Sequence, residues 1–389
     1  MTRNAVLIFC CILLPLAGCA VHIPRATPYT SLELQPSAVA EAQLLDVAIG
    51  QFTFEPPLLK RGTPDLQVAT IRKAESRYMP VMLRHTLQQS GAWGEIHVLP
   101  LGDRSHDLRV EGEILESESH TLSLRISVFD ATGARWFENI YTEHVGAAVH
   151  ADDALGVNDP FDGLYNRIAN DMLEQARQRD AASISAIRQV ARLQLGNEFA
   201  PEVYGTYLVI DDDDIATLTR LPPANDPVVA HLDQIRQRDR AFQDVLQQHY
   251  VDFTRNISDS YFEYRRQSFR ELQELQRQQK EARGDIIEGA VLLGVAGATT
   301  NIDDALATIG AATAAVAGAA KIVRGVSNYS TDTPFLAELD ESFSNDVVSE
   351  VATLDEDVVL LSGSVDSIYA QWKDILRELL HEDRRQQEP

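Results

Sequence analysis

The chain has 389 residues, which is enough for two or three domains with hydrophobic cores of their own. It carries 34 Lys and Arg against 58 Asp and Glu, a formal net charge of −24 at pH 7. Because nucleic acids are bound through neutralisation of their phosphates, this balance excludes nucleic acid as a partner. The densest acidic run, Asp211 to Asp214, lacks the alternating ligands and glycine turn of a calcium loop and is more typical of a solvated loop.

The first eighteen residues have the organisation of a signal peptide. Arg3 gives a positive start, and Val6 to Leu14 is apolar but shorter than the roughly 20 residues that span a bilayer. Small residues follow, and the run Leu16-Ala17-Gly18-Cys19 resembles the lipobox of bacterial lipoproteins. The alternative is an ordinary secretory signal peptide in which the cysteine has no role.

The lipobox resemblance implies removal of residues 1–18, a diacylglyceryl thioether on Cys19, and an acyl group such as palmitate on the new amine. Two or three acyl chains anchor a protein stably, whereas one is marginal. Ala20 is not aspartate, which by the sorting pattern of Gram-negative lipoproteins implies the periplasmic face of the outer membrane. Cys10 and Cys11 lie in the removed segment, so the mature chain has no disulfide and no thiolate metal site.

Residues 19–45 are rich in proline, serine and threonine and are predicted to be a flexible tether. Residues 46–150 are predicted to be an α+β domain with the order β-α-β-β-β-β. Its helix should run from about Gln67 to Gln89, kinked or divided at Pro80, and end at Ser90-Gly91.

The later strands of this domain alternate apolar and polar residues with a period of two. Leu108, Val110, Gly112 and Ile114 should share one face, as should Leu122, Leu124, Ile126 and Val128, and 130–133 should form a turn. The pattern predicts a small antiparallel sheet with one solvated face and the helix on the other.

Three features of residues 46–145 resemble the small α/β domains of CsgG-type curli-secretion lipoproteins and the amino-terminal domain of TolB. They are the strand ending in Phe52-Thr53-Phe54, the helix that stops at Ser90-Gly91 before the strand 95–98, and the sheet strands 107–114 and 128–133. The resemblance implies the fold type. The rest of the chain shows neither a CsgG ring pattern nor propeller repeats, so secretion and Tol activities are not carried over.

Residues 151–389 are predicted to form an elongated all-α bundle or coiled-coil region. One helix should end at Gly196, and 228–283 contains no proline or glycine and keeps a 3-4 apolar spacing broken by Asp239 and His249. Another helical region should run from Phe335 to Glu382, with an apolar stripe that includes Trp372.

Residues 284–326 form a Gly/Ala-rich apolar hairpin in this interpretation. Gly310, Ala314 and Gly318 place small residues on one helix face, where backbones can approach closely. Ala305 to Val323 has few large aliphatic residues and one lysine, Lys321, so its insertion energy is marginal. Three fates stay open for 286–323, namely packing inside the protein, entry into a membrane and self-association.

Catalytic and cofactor motifs are absent from the sequence. There is no phosphate-binding loop, dinucleotide fingerprint, zinc-protease helix or nucleophile elbow. His144 and His150 near Asp152 and Asp153 are a weak metal pattern, and exposed loop histidines are the simpler interpretation. We therefore expect no catalytic, cofactor-binding or metal residues.

Three hypotheses of function follow. The first is a non-enzymatic scaffold or assembly protein at the outer membrane, which binds a protein partner or a second copy of itself, with an open sheet edge as a docking place. The second is a membrane-active protein that inserts the 286–323 hairpin. The third is an enzyme whose site is built from unremarkable residues.

Overall fold

The computed structural model describes residues 25–37, 39–55, 66–100, 106–150, 159–212, 215–223, 227–296, 348–354 and 357–387. The molecule is mixed α/β, with a six-stranded sheet and several helices. The strands and helices are, in chain order, β1 (Val47–Gly50), β2 (Thr53–Phe54), α1 (Leu66–Ser90), β3 (Ile96–Leu99), β4 (Leu108–Ser117), β5 (Thr121–Asp130), β6 (Arg135–His144), α2 (Asp162–Arg177), α3 (Ala181–Phe199), α4 (Pro201–Tyr204), β7 (Leu208–Ile210), β8 (Ala216–Leu218), α5 (Pro227–Ala296), β9 (Val348–Leu354), β10 (Asp357–Gly363) and α6 (Val365–Gln387).

The sheet is mixed rather than antiparallel as predicted. Its order is β3-β1-β4-β5-β6, and β2 lies beside β4. The meander β4-β5-β6 is antiparallel, whereas β1 is parallel to both of its neighbours. The reason is the helix between β1 and β3, because a helical crossover returns the chain to start a strand in the same direction.

The period-two pattern correctly identified the buried face of the meander. Leu108, Val110, Leu122 and Leu124 are all fully buried, while the alternate residues of β4 are partly exposed. The turn at 130–133 is present and places Gly133 at φ +85°. In contrast, β1 and β3 are buried at every position, so this part of the sheet has no solvated face.

Two helices run through residues at which the sequence predicted an end or a division, Pro80 and Gly196. Helix α1 is continuous across Pro80 because its neighbours Met79 and Val81 are buried in the core, and this packing offsets the roughly 3 kcal/mol that an interior proline costs. Helix α3 continues past Gly196 to Phe199. The glycine instead allows the Tyr204 ring to approach, since a Cβ at 196 would lie 2.8 Å from that ring.

The carboxy-terminal half contains strands as well as helices. Strands β7 and β8 form one antiparallel hairpin, and β9 and β10 form another. The second hairpin replaces the helix predicted from residue 335 over its described residues before 364, because the segment 348–363 is rich in β-branched residues; residues 335–347 lie outside the described chain. The helical stripe is confirmed from Val365 onward, where Ile368 and Trp372 are buried.

The hydrophobic core continues beyond residue 150. One buried cluster joins the sheet to α1, α2, α3 and the middle of α5, and a second joins β3 to α3, α5 and α6. The helices therefore pack on the sheet as parts of one body. In the part of the chain that the structure covers, no helix is long and apolar enough to cross a membrane.

Candidate functional site

Helix α5 lies along the edge strand β3 and follows the same direction as β1, β3 and β4. We call the two ends of the sheet the Asp46 end, where β1 and β4 begin, and the Ser117 end, where β4 finishes. At the Asp46 end Arg240 of α5 pairs with Asp46 and lies 3.3 Å from the Glu95 carboxylate. At the Ser117 end Arg265 of α5 donates to the Glu118 carbonyl at 2.6 Å. The helix therefore runs the full length of the strands, from the Asp46 end to the Ser117 end.

The β3 edge of the sheet is covered. The Val98 amide donates to Gln247 Oε1 of α5 at 2.8 Å, and the Ile96 carbonyl accepts from Arg84 Nε of α1 at 2.7 Å. Side chains therefore bind backbone groups that an added strand would need. The sequence predicted an open sheet edge as a docking place, and β3 does not provide one.

A buried ion cluster fixes α5 at the Ser117 end. Glu75 of α1 is 1% exposed and Arg265 is 3% exposed, and Arg265 Nη2 lies 3.0 Å from Glu75 Oε1. The same oxygen accepts from Ser117 Oγ and Tyr261 Oη, each at 2.8 Å. Arg72 binds the second Glu75 oxygen at 2.6 Å. Three elements therefore meet on one carboxylate.

Electrostatics keep this cluster ionised. Burial by itself would raise the pKa of Glu75, but the charges of Arg72 and Arg265 outweigh it and hold the pKa below its usual range. The Arg265 guanidinium also lies over the rings of Phe161 and Tyr261, 4.9 and 4.8 Å from their centroids. A lone buried carboxylate would be neutral here, so the pair acts as a specific lock between α1 and α5.

Three further carboxyl groups lie near this cluster. Asp159 accepts from Tyr78 Oη at 2.8 Å, and burial raises its pKa. Burial also raises the pKa of Glu143 to about 7, against the opposing effect of Arg167, and raises the pKa of Asp162 to about 7. Glu143 and Asp162 therefore bind protons near neutral pH. Within the described residues no group of histidine, cysteine, aspartate and glutamate has the arrangement of a metal site.

The segment before the sheet is bound, although the sequence predicted a flexible tether over 19–45. The Thr27 amide donates to the His144 carbonyl at 2.8 Å, at the Ser117 end. Two asparagines one turn apart on α2 then hold the chain, since Asn166 donates to the Thr30 carbonyl at 2.9 Å and Asn170 Oδ1 accepts from the Glu33 amide at 2.8 Å. The segment lies along α2 because the side-chain amides of that helix form hydrogen bonds with the backbone of the segment.

This binding places the start of the described chain at the Ser117 end. Arg25 comes two residues before Thr27, and Cys19 comes six residues before Arg25. Helix α5 leaves the sheet at the same end, because its direction carries it past Arg265. The last 27 residues, Arg270 to Ala296, extend for about 40 Å at 1.5 Å per residue.

A second polar cluster fixes α6 on α5. Asp239 is 2% exposed and accepts from Trp372 Nε1 at 3.1 Å and from Gln243 Nε2 at 3.0 Å, with Lys373 Nζ at 3.5 Å. The rings of Phe242 and Trp372 stack at 4.5 Å. Sequence reasoning treated Asp239 as a break in the apolar stripe. The structure shows that it is the acceptor at the centre of the α5–α6 contact.

The predicted site residues divide into those outside and those inside the described chain. Cys19, Gly310, Ala314 and Gly318 lie outside it, as does the hairpin from residue 297 onward, while 286–296 forms the end of α5. Trp93, Trp136 and Trp372 are all buried.

The structure does not support a metal site at His144 and His150 or in the acidic run that begins at Asp211. His144 Nδ1 lies 3.0 Å from Thr121 Oγ1, and Asp152 and Asp153 are outside the described residues. Asp211 accepts from the Ile215 amide at 2.9 Å and closes the β7–β8 turn. It has the role of a turn residue.

The sequence analysis did not predict the buried ion cluster. Glu75 and Arg265 lie 190 positions apart on segments that each look like an ordinary charged helix. The only available signal was their position within apolar stripes. Comparison with known proteins adds no assignment, since no protein-family model and no curated protein matches this chain.

Proposed function

We propose that this chain is a lipid-anchored periplasmic lipoprotein that acts as a non-enzymatic scaffold or assembly protein at the outer membrane. The lipobox at Leu16 to Cys19 supports the anchor. The observation that carries the scaffold role is the rigid attachment of α5, which is bound along the full sheet and then extends about 40 Å beyond it. A helix attached in this way holds a binding surface at a fixed distance from the body.

Contact with a partner through the extension of α5 is tested by site-specific photocrosslinking in cells. A photoreactive residue at Glu271, which is exposed on the extension, should give one discrete adduct. The same residue at Ser185, which is exposed on α3 of the body, is the matched control and should give none. Equal crosslinking at both positions, or at neither, would contradict the scaffold role.

The anchor is tested separately. Cys19→Ser should leave the protein unprocessed and not lipidated, so the labelled palmitate it incorporates should fall to background. Unchanged cleavage and membrane binding would show that Cys19 is not lipidated and that an ordinary signal peptide is the right interpretation.

A second function is favoured by one geometric observation, which is that the anchored segment and α5 leave the same end of the sheet. Six residues from Cys19 to Arg25 reach at most about 20 Å. From Arg270 to Ile286 the helix rises about 24 Å, and the following helical residues to Ala296 contain one charged residue, Glu288. The apolar end of α5 would then reach the surface of the anchoring bilayer.

This membrane-active alternative is distinguished by vesicle leakage. Full-length protein should release dye from vesicles of phosphatidylethanolamine and phosphatidylglycerol, and Leu293→Asp should abolish the release without changing the melting temperature. Gln273→Asp, on the polar part of the extension, is the control. If neither the protein nor its variants cause leakage, the scaffold function alone remains.

A further inference from the structure

The outer edge of the sheet, at β6, is covered only near the Ser117 end. There the His144 carbonyl accepts from the Thr27 amide at 2.8 Å, and the Thr142 carbonyl accepts from a guanidinium of α2 at 2.9 Å. In an antiparallel ladder the backbone groups of alternate residues point to opposite sides of the strand. The backbone groups of Ile140 and Glu138 therefore point to the same outer edge as those of Thr142 and His144.

This edge is open at Glu138 and Ile140. Within the described residues, the outward N–H and C=O groups of these two positions form no backbone hydrogen bond. Glu138 and Asn139 are exposed although they lie on opposite faces of the strand, and Ile140 is 58% exposed. Neither face is therefore covered here. A β-bulge at Trp136, where the register with β5 shifts, limits the open stretch on its other side.

Carboxylates lie on both faces of the open stretch. On the solvent face Glu138 pairs with Arg135 at 2.9 Å, but both side chains are exposed, and such a pair contributes little. On the α2 face Asp171 Oδ2 accepts from Tyr141 Oη at 2.6 Å and lies 3.5 Å from Asn139 Nδ2. Its other oxygen forms no hydrogen bond with the described residues. The edge therefore presents acidic groups beside its unpaired backbone.

A second copy of the chain fits this edge poorly. Two β6 strands paired about a two-fold axis at the open stretch would bring their Asp171 carboxylates towards each other, because Asp171 lies beside Asn139 and Tyr141. Each chain also carries a net charge of −24. Like charges opposite each other destabilise paired strands, so the edge favours a chain of opposite charge.

We propose that the open stretch of β6 binds an extended segment of a partner protein in which a lysine or arginine follows an aliphatic residue by two positions. The segment pairs antiparallel to β6, which is slightly more stable than parallel pairing. The aliphatic residue then lies opposite Ile140, and the basic residue lies opposite Glu138 on the same face. Backbone hydrogen bonds supply affinity, and the two side chains supply specificity. This inference goes beyond the proposed scaffold role, because it depends neither on the lipid anchor nor on α5.

The probe for the test is the peptide acetyl-Thr-Thr-Val-Thr-Lys-Thr-amide, added to the full chain carrying ¹⁵N-labelled isoleucine. Loss of one signal in Ile140→Val identifies the Ile140 amide resonance. The probe should shift this resonance downfield and saturably, because the Ile140 N–H gains an acceptor. The resonance of Ile126, in the middle of β5, should stay in place.

Affinities are measured by fluorescence anisotropy of the probe with a dye at its carboxyl end. A probe with glutamate in place of lysine should bind about fivefold more weakly, because an attraction to Glu138 becomes a repulsion. Glu138→Lys should remove this preference for the lysine probe. A probe N-methylated at its valine lacks the N–H that faces Ile140 and should not bind, and this result does not depend on any variant of the protein.

Ile140→Pro removes the outward N–H at the centre of the site. The variant should fold, because proline is tolerated in an edge strand where the N–H faces solvent, and it should lose saturable binding. Ile140→Val keeps both the N–H and an aliphatic side chain and is the matched control, with affinity within about twofold of the unaltered protein.

Several results would overturn the proposal. They are the absence of saturable binding, an unmoved Ile140 resonance, equal binding of the N-methylated probe, and a preference for lysine that survives Glu138→Lys. Dimers in sedimentation that Ile140→Pro dissociates would also overturn it, because the edge would then bind a second copy of the chain.

Discussion

The proximal and distal parts of α5 belong to one helix but use charge in opposite ways. In the proximal part Arg240 and Arg265 bind the carboxylates of Asp46 and of Glu75 on α1, and Arg265 is almost fully buried. From Arg270 onward the described ion pairs, such as Glu274–Arg277 at 2.7 Å, are exposed and local. Buried ion pairs therefore determine where the helix lies, whereas exposed ion pairs only keep it solvated.

The largest expected effect comes from removing the lock at the Ser117 end. Arg265→Met should lower the free energy of unfolding by about 3–5 kcal/mol, because Glu75 stays buried with one of its two cations missing. Arg277→Met is the matched control on the distal part and should change it by less than about 0.5 kcal/mol. Urea denaturation measures both, and similar losses for the two variants would contradict the distinction.

The next effect concerns the contact of α6 with α5. Asp239→Ala removes the acceptor of Trp372 Nε1 and Gln243 Nε2 and should cost about 2–3 kcal/mol. Hydrogen exchange should accelerate in α6 while β4 and β5 keep their protection. Asp374→Ala, which breaks an exposed pair with Arg377, is the control and should leave exchange unchanged. Equal acceleration throughout the sheet would show that α6 does not open independently.

A smaller effect is expected from the proton-binding carboxyls beside the lock. Glu143 titrates near 7 in the folded protein, above its usual range, because burial disfavours the charged form. Its contribution is therefore free of penalty below about pH 4.5, and the penalty builds up between pH 4.5 and about 7, where the unfolded chain has lost the proton that the folded protein keeps. Glu143→Gln should stabilise the protein by about 1 kcal/mol at pH 8 and have little effect at pH 5. Guanidinium unfolding at both pH values checks this sign, and a larger gain at pH 5 would reverse it.

The smallest effect concerns the bound amino-terminal segment. Asn170→Ala removes two hydrogen bonds to the chain at Ser31 and Glu33 and should lower stability by about 1 kcal/mol. Amide exchange of residues 27–35 should rise well before that of the sheet. If those amides exchange at coil rates already in the unaltered protein, the segment is the flexible tether that the sequence predicted.

Local patterns predicted much of the sheet and little of how the helices are placed on it. The alternation in β4 and β5, the stop at Ser90-Gly91 and the turn at Gly133 follow from backbone and burial rules that act within a few residues. The parallel pairing of β1 depends on a crossover through α1, which is not a local property. The hairpin β9–β10 was hidden because its apolar residues also fit a helical spacing.

The candidate site could not be read from the sequence, because it depends on pairs that are far apart along the chain. Glu75 and Arg265 become meaningful only when α5 lies along the sheet. Asn166 and Asn170 are ordinary residues of a helix until the segment 25–37 is seen to lie beside them. The proposed lipobox is the opposite case, since its interpretation depends on the four consecutive residues Leu16 to Cys19 and their distance from Met1.

The most direct test of the account measures which end of the sheet faces the membrane. In the proposed mature chain Cys19 is the only cysteine and is blocked by lipid, so Glu116→Cys at the Ser117 end and Ala42→Cys at the Asp46 end can each carry one bimane label. In proteoliposomes containing lipid spin-labelled at the headgroup, the label at 116 should be strongly quenched and the label at 42 hardly at all. Stronger quenching at 42 than at 116 would contradict the claim that the anchor and the α5 extension leave the same, membrane-facing end.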